Sequence, residues 1–254
     1  MRIVTFNVRC AWDGDGINSF IHRAGMIYEK IRAERPDVIA FQEITQANAE
    51  FLCHAIGDIY DTEVFFRSEN YGGEGLMIAL LKESFAFGGV EYFWLSPTPH
   101  VPGSRFEIQS PCPRIAVIAN CRELNSGKII RVCNTHLDHK SHEARLLGMN
   151  LILSRLEAMQ KDFPLETVIL GDMNAEPNTP PISACLESAL GLCDLTKKLS
   201  VTFHGYGRAS AKIDYIFATK GLSSSADGLR IWDEVHEGIY LSDHYPIEIS
   251  LNLK

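Results

Sequence analysis

Residues 168–177 read VILGDMNAEP, an apolar segment that runs directly into Gly171, Asp172, Met173 and Asn174. The apolar part is typical of a buried β-strand. Alternation along the strand places the side chains of Asp172 and Asn174 on the same side. A carboxylate and a carboxamide at a strand end can orient and deprotonate a water beside a metal ion. The same residue types are common in turns, so this segment alone leaves both a turn and a catalytic site open.

Polar residues at the ends of several other apolar strands favour the catalytic interpretation. These residues are Asn7, Glu43, His136, Asp214, Asp243 and His244. Taken one at a time, they could be turn residues, helix-start carboxylates, caps or hydrogen-bonded structural histidines. Taken together, on strands that can converge at one edge of a sheet sandwich, they predict one shared site.

The apolar periodicity predicts more strands than helices, without strict alternation of the two. Strands are expected at 2–8, 37–43, 59–66, 75–82, 84–94, 114–121, 129–135, 166–171, 213–218 and 244–252. Helices are expected at 18–34, 45–56, 141–161 and 180–190. This succession favours an α/β (α+β) fold, a four-layer sandwich of two packed mixed β-sheets flanked by helices. A single domain over residues 1–254 is expected, with the proline-rich segment 95–113 as a long exposed loop.

Composition argues against several classes of protein. The net charge of -8 does not suit a broad footprint on duplex DNA, which needs a basic face. None of the seven cysteines stands in a CxxC pair, and segments such as IANC and RVCN predict buried free thiols, which suggests a reducing compartment. No apolar stretch approaches the ~18 residues of a membrane span, and the first residues read as a strand rather than a signal peptide. We therefore expect a cytoplasmic monomer.

An ordered series of short segments resembles the endonuclease/exonuclease/phosphatase superfamily, the metal-dependent phosphoesterases that include deoxyribonucleases, neutral sphingomyelinases and deadenylases. The segments are TFNVR from residue 5, QE at 42–43, NTHLDH at 134–139, GDMNAEP at 171–177, KIDYIF at 212–217 and SDHYP from residue 242. Each segment is weak alone, but the series spans nearly the whole chain in order and is highly specific.

The resemblance implies a metal site built from hard oxygen ligands, which suits Mg²⁺ or Mn²⁺ and disfavours zinc. The implied metal ligands are Asn7, Glu43, Asp172, Asn174 and Asp243. Asp172 and Asn174 would also orient and deprotonate the attacking water.

The resemblance also assigns roles to two histidines. His136 and His244 would donate hydrogen bonds to the phosphoryl oxygens. Asp214 would hold His244, and Glu74 in GGEGLMIAL would hold His136, each favouring the protonated ring. A polar residue at a strand start is the alternative interpretation of Glu74.

Three further residues are candidates for substrate contact. Arg114 could bind a substrate phosphate, and Asp138 and His139 could line the pocket, with an exposed loop as the alternative for the last two. The histidines of segment 136–142 could be read as a zinc cluster, but no cysteine or distant histidine clearly completes it.

These observations predict a phosphoesterase that hydrolyses a phosphodiester or phosphomonoester by attack of an activated water. The substrate is expected to be a small molecule, a lipid head group or a single-stranded nucleic acid. A nuclease or deadenylase acting on single strands is the alternative, and a catalytically silent binding protein of the same fold is a second one.

Overall fold

The computed structural model describes residues 1–253, without the side chains of residues 223, 225–227 and 253. The strands are β1 (Arg2–Asn7), β2 (Val38–Ile44), β3 (Tyr60–Phe66), β4 (Gly75–Leu81), β5 (Phe85–Trp94), β6 (Ile115–Glu123), β7 (Ile129–His136), β8 (Glu166–Asp172), β9 (Leu192–Asp194), β10 (Asp214–Thr219), β11 (Leu222–Ile231), β12 (Val235–His236), β13 (Ile239–Tyr240) and β14 (Ile247–Leu253). The α-helices are α1 (Phe20–Glu34), α2 (Gln46–Ile56), α3 (His142–Asp162) and α4 (Pro180–Glu187).

The strands form two six-stranded sheets and one small hairpin of β12 and β13. The first sheet has the order β11-β14-β1-β2-β4-β3, and the second has the order β5-β6-β7-β8-β10-β9. In the first sheet β1 and β2 run parallel, and in the second sheet β7 and β8 do. Both sheets also contain antiparallel neighbours, such as β1 with β14 and β8 with β10. The predicted pair of mixed sheets is therefore confirmed.

Strand alternation sorts the apolar side chains into three layers. On β1, Ile3 packs between the two sheets, whereas Val4 and Phe6 pack against α1 and α2 on the outer face. On β8, Leu170 packs between the sheets, and Ile169 packs against the layer of α3 and α4. The order of layers is therefore helix, sheet, sheet, helix, which confirms the predicted four-layer sandwich.

Most predicted elements are present, with changes at their ends. The chain before α1 forms a short 3₁₀ helix (Asp13–Asn18), so the helix expected at 18–34 begins at Phe20. The last strand begins at Ile247 rather than at residue 244, because the preceding segment leaves the sheet and includes Pro246, which has no N–H to donate. Strands β9, β11, β12 and β13 were not predicted.

The proline-rich segment 95–113 contains no helix or strand, as predicted, but it is only partly exposed. Ser96, Gln109 and Ser110 are buried within it. All seven cysteines are free, and those of IANC and RVCN are buried as expected. No helix within residues 1–253 has the length and apolar character that crossing a membrane requires.

Candidate active site

At one end of the sandwich, the side chains that face the layer between the two sheets are polar. Across the second sheet, His136 on β7 is the register partner of Asp172 on β8, and Asp172 is the partner of Asp214 on β10. Leu170 and Ile216 face the layer between the sheets, so Asp172 and Asp214, two residues away on their strands, face it too. Strand register thus sets three predicted site residues side by side.

Glu43 reaches the site through an irregularity in β2. Phe41 pairs with Met77, but Ile44 pairs with Gly75, so β2 carries one extra residue at this point. Such a β-bulge bends the strand and redirects a side chain. Glu43 itself has φ of 58°, a left-handed conformation that is uncommon for residues other than glycine. The bulge directs its carboxylate toward the loop that follows β1.

Asn7 joins the carboxylates of the two sheets. Its Nδ2 atom lies 3.0 Å from Oδ2 of Asp172 and 3.1 Å from Oε1 of Glu43. The backbone N–H of Cys10 donates to the other oxygen of Glu43 at 3.1 Å, and the backbone N–H of Arg9 donates to Oδ1 of Asn7 at 3.0 Å. Asn7 is therefore placed as a donor between two carboxylates, and its predicted role as a metal ligand stays a prediction.

His244 and Asp214, the pair expected from the sequence, lie together. Nδ1 of His244 is 2.8 Å from Oδ2 of Asp214, and Nε2 is 3.8 Å from Oδ2 of Asp172. Burial alone would lower the pKa of His244, but the charge and hydrogen bond of Asp214, followed by the charge of Asp172, raise it to about 10. His244 is accordingly a buried imidazolium at neutral pH. Phe203 packs against its ring, with the centroids 4.8 Å apart.

His136 differs from the expectation of a protonated ring. Its Nε2 atom lies 2.9 Å from Nδ2 of Asn174. Burial, together with the charges of Arg114 and Arg67, lowers the pKa of His136 well below its ordinary value. The carboxylate of Glu74, expected to hold this ring, is 2.9 Å from Nη2 of Arg67 instead, and the described residues show no hydrogen bond between Glu74 and His136. The carboxylate of Glu74 therefore pairs with Arg67 rather than with His136.

Asp172 and Asn174 form a compact unit. The backbone N–H of Asn174 donates to Oδ1 of Asp172 at 2.8 Å, and Nδ2 of Asn174 donates to the Leu137 carbonyl at 3.0 Å. Asn174 has φ of 47°, which allows the chain to turn back on the strand. Burial and the neighbouring charge of Asp214 raise the pKa of Asp172 to about 7.

The site brings several carboxylates together in one cavity. Burial also raises the pKa of Asp243. Burial opposes the ionisation of Glu43 too, but the charge of His244, the N–H of Cys10 and the charge of Arg9 outweigh it and lower the pKa of Glu43. The ligand atoms of Glu43, His136 and Asp172 lie within 4.8 Å of one another. Two carboxylates and an imidazole at this spacing are suited to hold a divalent cation.

The candidate substrate contacts divide into two groups. Arg114 and His139 line the same open cavity as Asp172 and His244. Asp138 does not line it, because its carboxylate accepts hydrogen bonds from Ser110 and from the backbone N–H groups of residues 140 and 141. Asp138 thus organises the loops around the site.

Two arginines in the cavity wall were not predicted as site residues. Arg9 lies 2.9 Å from Asp15 and 3.7 Å from Asp243, and Arg67 pairs with Glu74. Arg9 belongs to the segment TFNVR, so its position beside Asn7 was a usable signal. Arg67 follows β3 in a segment with no recognisable motif, and only the tertiary structure brings it to the site.

Comparison with known proteins agrees with this geometry. Residues 4–244 match the model of the Endonuclease/Exonuclease/phosphatase family. No curated protein is significantly similar to the chain. The family match covers every residue predicted for the site and confirms the resemblance found in the sequence.

Solved structures share the whole fold. An endonuclease/exonuclease/phosphatase from Bacteroides vulgatus aligns over 100% of this chain and 98% of its own, with 26% identity and a TM-score of 0.91. A conserved protein of unknown function from Enterococcus faecalis V583 aligns over 100% of each chain, with 27% identity and a TM-score of 0.90. A mannosyl-6-phosphatase from Bacteroides thetaiotaomicron VPI-5482 aligns over 99% of each, with 22% identity and a TM-score of 0.88, a likeness of fold alone.

Proposed function

Because this chain belongs to the endonuclease/exonuclease/phosphatase family, whose members hydrolyse phosphoesters, we propose that it is a phosphoric ester hydrolase that depends on Mg²⁺ or Mn²⁺. One observation carries the proposal. The carboxylates of Glu43, Asp172 and Asp243 and the imidazolium of His244 line one cavity. Acidic oxygens for a cation and a cationic donor for a phosphoryl group are the two requirements of such a reaction.

The donor set fits a hard divalent cation. Glu43, Asp172 and Asp243 would hold it, and Asn7 would fix two of these carboxylates through its Nδ2 atom. Among the described residues, Cys112 is the one cysteine that lines this cavity with these carboxylates. The donor set therefore offers little to an ion that prefers thiolate ligands. A bound cation would supply positive charge to the phosphoryl and departing oxygens.

The protein's own residues divide the remaining work. Asp172 would accept a proton from the attacking water, and the backbone N–H of Asn174 holds its other oxygen in place at 2.8 Å. Oδ1 of Asn174 has no hydrogen-bond partner among the described residues and would orient the same water. His244, kept protonated by Asp214, would donate from Nε2 to a phosphoryl oxygen whose negative charge grows during the reaction.

Hydrolysis of p-nitrophenyl phosphate and bis-p-nitrophenyl phosphate with Mg²⁺, Mn²⁺ or EDTA tests the proposal. We expect release of p-nitrophenol with a divalent ion and none in EDTA. Glu43→Gln should weaken Mn²⁺ binding, measured by calorimetry, whereas Glu50→Gln on the exposed face of α2 should leave it unchanged. Absence of hydrolysis with every metal would favour a binding protein of the same fold, and activity that persists in EDTA would overturn the metal dependence.

A substrate panel would then identify the natural ester. Nucleotides, sugar phosphates, phospholipid head groups and short single-stranded RNA cover the classes that the acidic surface permits. Release of phosphate or of a nucleotide would separate a phosphatase from a nuclease.

A further inference from the structure

Arg114 is a buried cation whose hydrogen bonds are mostly unused. The residue is only 4% exposed and lies immediately before β6. Its Nη2 atom is 3.0 Å from Nδ1 of His139. Its Nε and Nη1 atoms are buried and have no hydrogen-bond partner among the described residues. Buried charged groups are normally paired, but the described residues provide no partner for these two nitrogens of the guanidinium.

The charge around Arg114 is also unbalanced. Arg67, the nearest other arginine in this part of the cavity, forms its ion pair with Glu74 at 2.9 Å. No described carboxylate lies within ion-pair distance of Arg114, and the carboxylate of Asp138 is occupied by Ser110 and by backbone N–H groups. Arg114 is therefore a buried guanidinium without an ion-pair partner among the described residues, which favours an anion from outside the protein.

The two arginines lie where a substrate would lie. Arg67, Glu74, Arg114 and His136 line a narrow recess, and all four also line the open cavity that contains Asp172 and His244. Glu43 and Asp243 lie near Arg9 in the wall of this cavity, and Arg67 and Arg114 add positive charge at the recess. A phosphoester placed at His136 would bring its free oxygens next to Arg114.

We propose that Arg114 and Arg67 bind the unesterified oxygens of a terminal phosphate, so that the enzyme favours substrates that carry a phosphate dianion over simple diesters. This inference rests on the proposed phosphoester hydrolysis. A guanidinium donates charge-assisted hydrogen bonds to phosphate oxygens, and the Nε and Nη1 atoms of Arg114 have no partner among the described residues. A diester carries one negative charge fewer on its free oxygens.

A purely structural role for Arg114 predicts a different arrangement. Arg131 on β7 illustrates it, because this equally buried arginine holds Oε1 of Gln160 at 3.2 Å and the Phe163 carbonyl at 3.0 Å. Arg131 ties a strand to the end of α3. Arg114 makes no comparable bond to the carbonyls or carboxylates of the described residues.

Three substrates separate the possible sources of the phosphate. These are p-nitrophenyl phosphate, bis-p-nitrophenyl phosphate, and thymidine 3′-phosphate 5′-(p-nitrophenyl phosphate), a diester that carries a separate terminal phosphate. We expect Arg114→Met to lower kcat/KM at least ~10-fold for a substrate with a terminal phosphate and much less for bis-p-nitrophenyl phosphate, since charge-assisted hydrogen bonds are lost only with the former. Arg67→Met should act in the same direction.

Each result has a defined meaning. A selective loss with p-nitrophenyl phosphate supports binding of the scissile phosphate, and a selective loss with the thymidine derivative supports binding of a second phosphate. An equal loss with all three substrates, or no loss, overturns the inference. Arg114→Met should melt at the same temperature as wild type or higher, because it removes an unpaired charge, whereas Arg131→Met should melt lower and keep the wild-type ratios.

Binding of inorganic phosphate keeps the inference testable if no ester is hydrolysed. Calorimetry on the metal-loaded protein should show that Arg114→Met weakens inorganic phosphate at least ~10-fold and leaves dimethyl phosphate nearly unchanged. Equal weakening of both anions would contradict the inference. Absence of hydrolysis with intact, Arg114-dependent phosphate binding would instead count against the proposed function alone.

Discussion

Nδ1 of His244 lies 2.8 Å from Oδ2 of Asp214, and this pair joins the two sheets. Asp214 begins β10 in the second sheet, whereas His244 precedes β14 in the first. Both side chains are buried. The charge of the imidazolium is therefore set by a residue from the opposite sheet, so the packing of the two sheets decides how the site is charged.

Asp214→Asn should lower kcat by about 100-fold or more, because an amide does not stabilise the imidazolium proposed to donate to the phosphoryl group. Steady-state kinetics on the metal-loaded enzyme measures this. Asp194→Asn is the matched control, since Asp194 on β9 pairs with Lys212 at 2.8 Å and not with a histidine. A kcat for Asp214→Asn equal to that of the control would contradict the assigned role.

Asp172→Asn should lower activity without lowering stability. Burial and the charge of Asp214 raise the pKa of Asp172 to about 7, so an ionised carboxylate at this position is costly in the absence of a cation. We expect the variant to lose about 100-fold or more in kcat while its melting temperature in EDTA equals or exceeds that of wild type. Thermal melts with EDTA and with Mn²⁺ measure this, and a marked fall in both would point to a structural carboxylate.

The site was predictable where it depends on strand order and alternation. Asp172 and His136 end strands, and Asp214 begins one, whose apolar residues were evident from the sequence, and strand register brings the three together. The partner of Glu74 was not predictable, because Arg67 is brought to it by the β3–β4 hairpin and carries no motif of its own. The β-bulge at Glu43 was not predictable either, because the extra residue in β2 is apparent only from the pairing of β2 with β4.

Arg23→Met should disturb the site from a distance. The buried guanidinium donates to the carbonyls of Val8 and Leu241, both at 2.8 Å, and so ties the segment after β1 to the segment before Asp243. The substitution leaves buried carbonyls without donors, so we expect a loss of about 3 kcal/mol in the free energy of unfolding and a lower kcat/KM.

Urea unfolding and kinetics at saturating metal measure the effect of Arg23→Met. Arg32→Met, on the same helix, removes an exposed pair with Asp58 and a contact with the Tyr28 ring, and should change the urea midpoint little. If the two variants unfold at the same urea concentration, Arg23 does not hold these segments together.

Asp138→Asn should reduce stability rather than substrate affinity. Burial opposes ionisation of Asp138, but hydrogen bonds from Ser110 and from two backbone N–H groups outweigh it and lower its pKa below the ordinary value of 3.8. A carboxyl group whose pKa is lowered in the folded state stabilises the protein at pH values above its ordinary pKa. That stabilisation is lost as the pH falls through the folded-state pKa. At pH 7 the variant should be less stable by about 1.5–3 kcal/mol.

Urea unfolding of the Asp138→Asn variant at pH 7 and at acidic pH checks this sign. The difference from wild type should shrink as the pH falls below about 4, the ordinary range for an aspartate. Asp162→Asn at the exposed end of α3 serves as the control. A raised KM with unchanged stability would return Asp138 to the substrate contacts.

The position of β14 has a consequence for synthesis of the protein. This strand lies between β11 and β1, and Asp243 and His244 come just before it in the sequence. A nascent chain that has left the ribosome only through β10 carries Glu43 and Asp172, but it lacks His244 and leaves the edge of β1 unpaired. The proposed site is therefore incomplete until Asp243 and His244 have been synthesised and β14 has paired with β1.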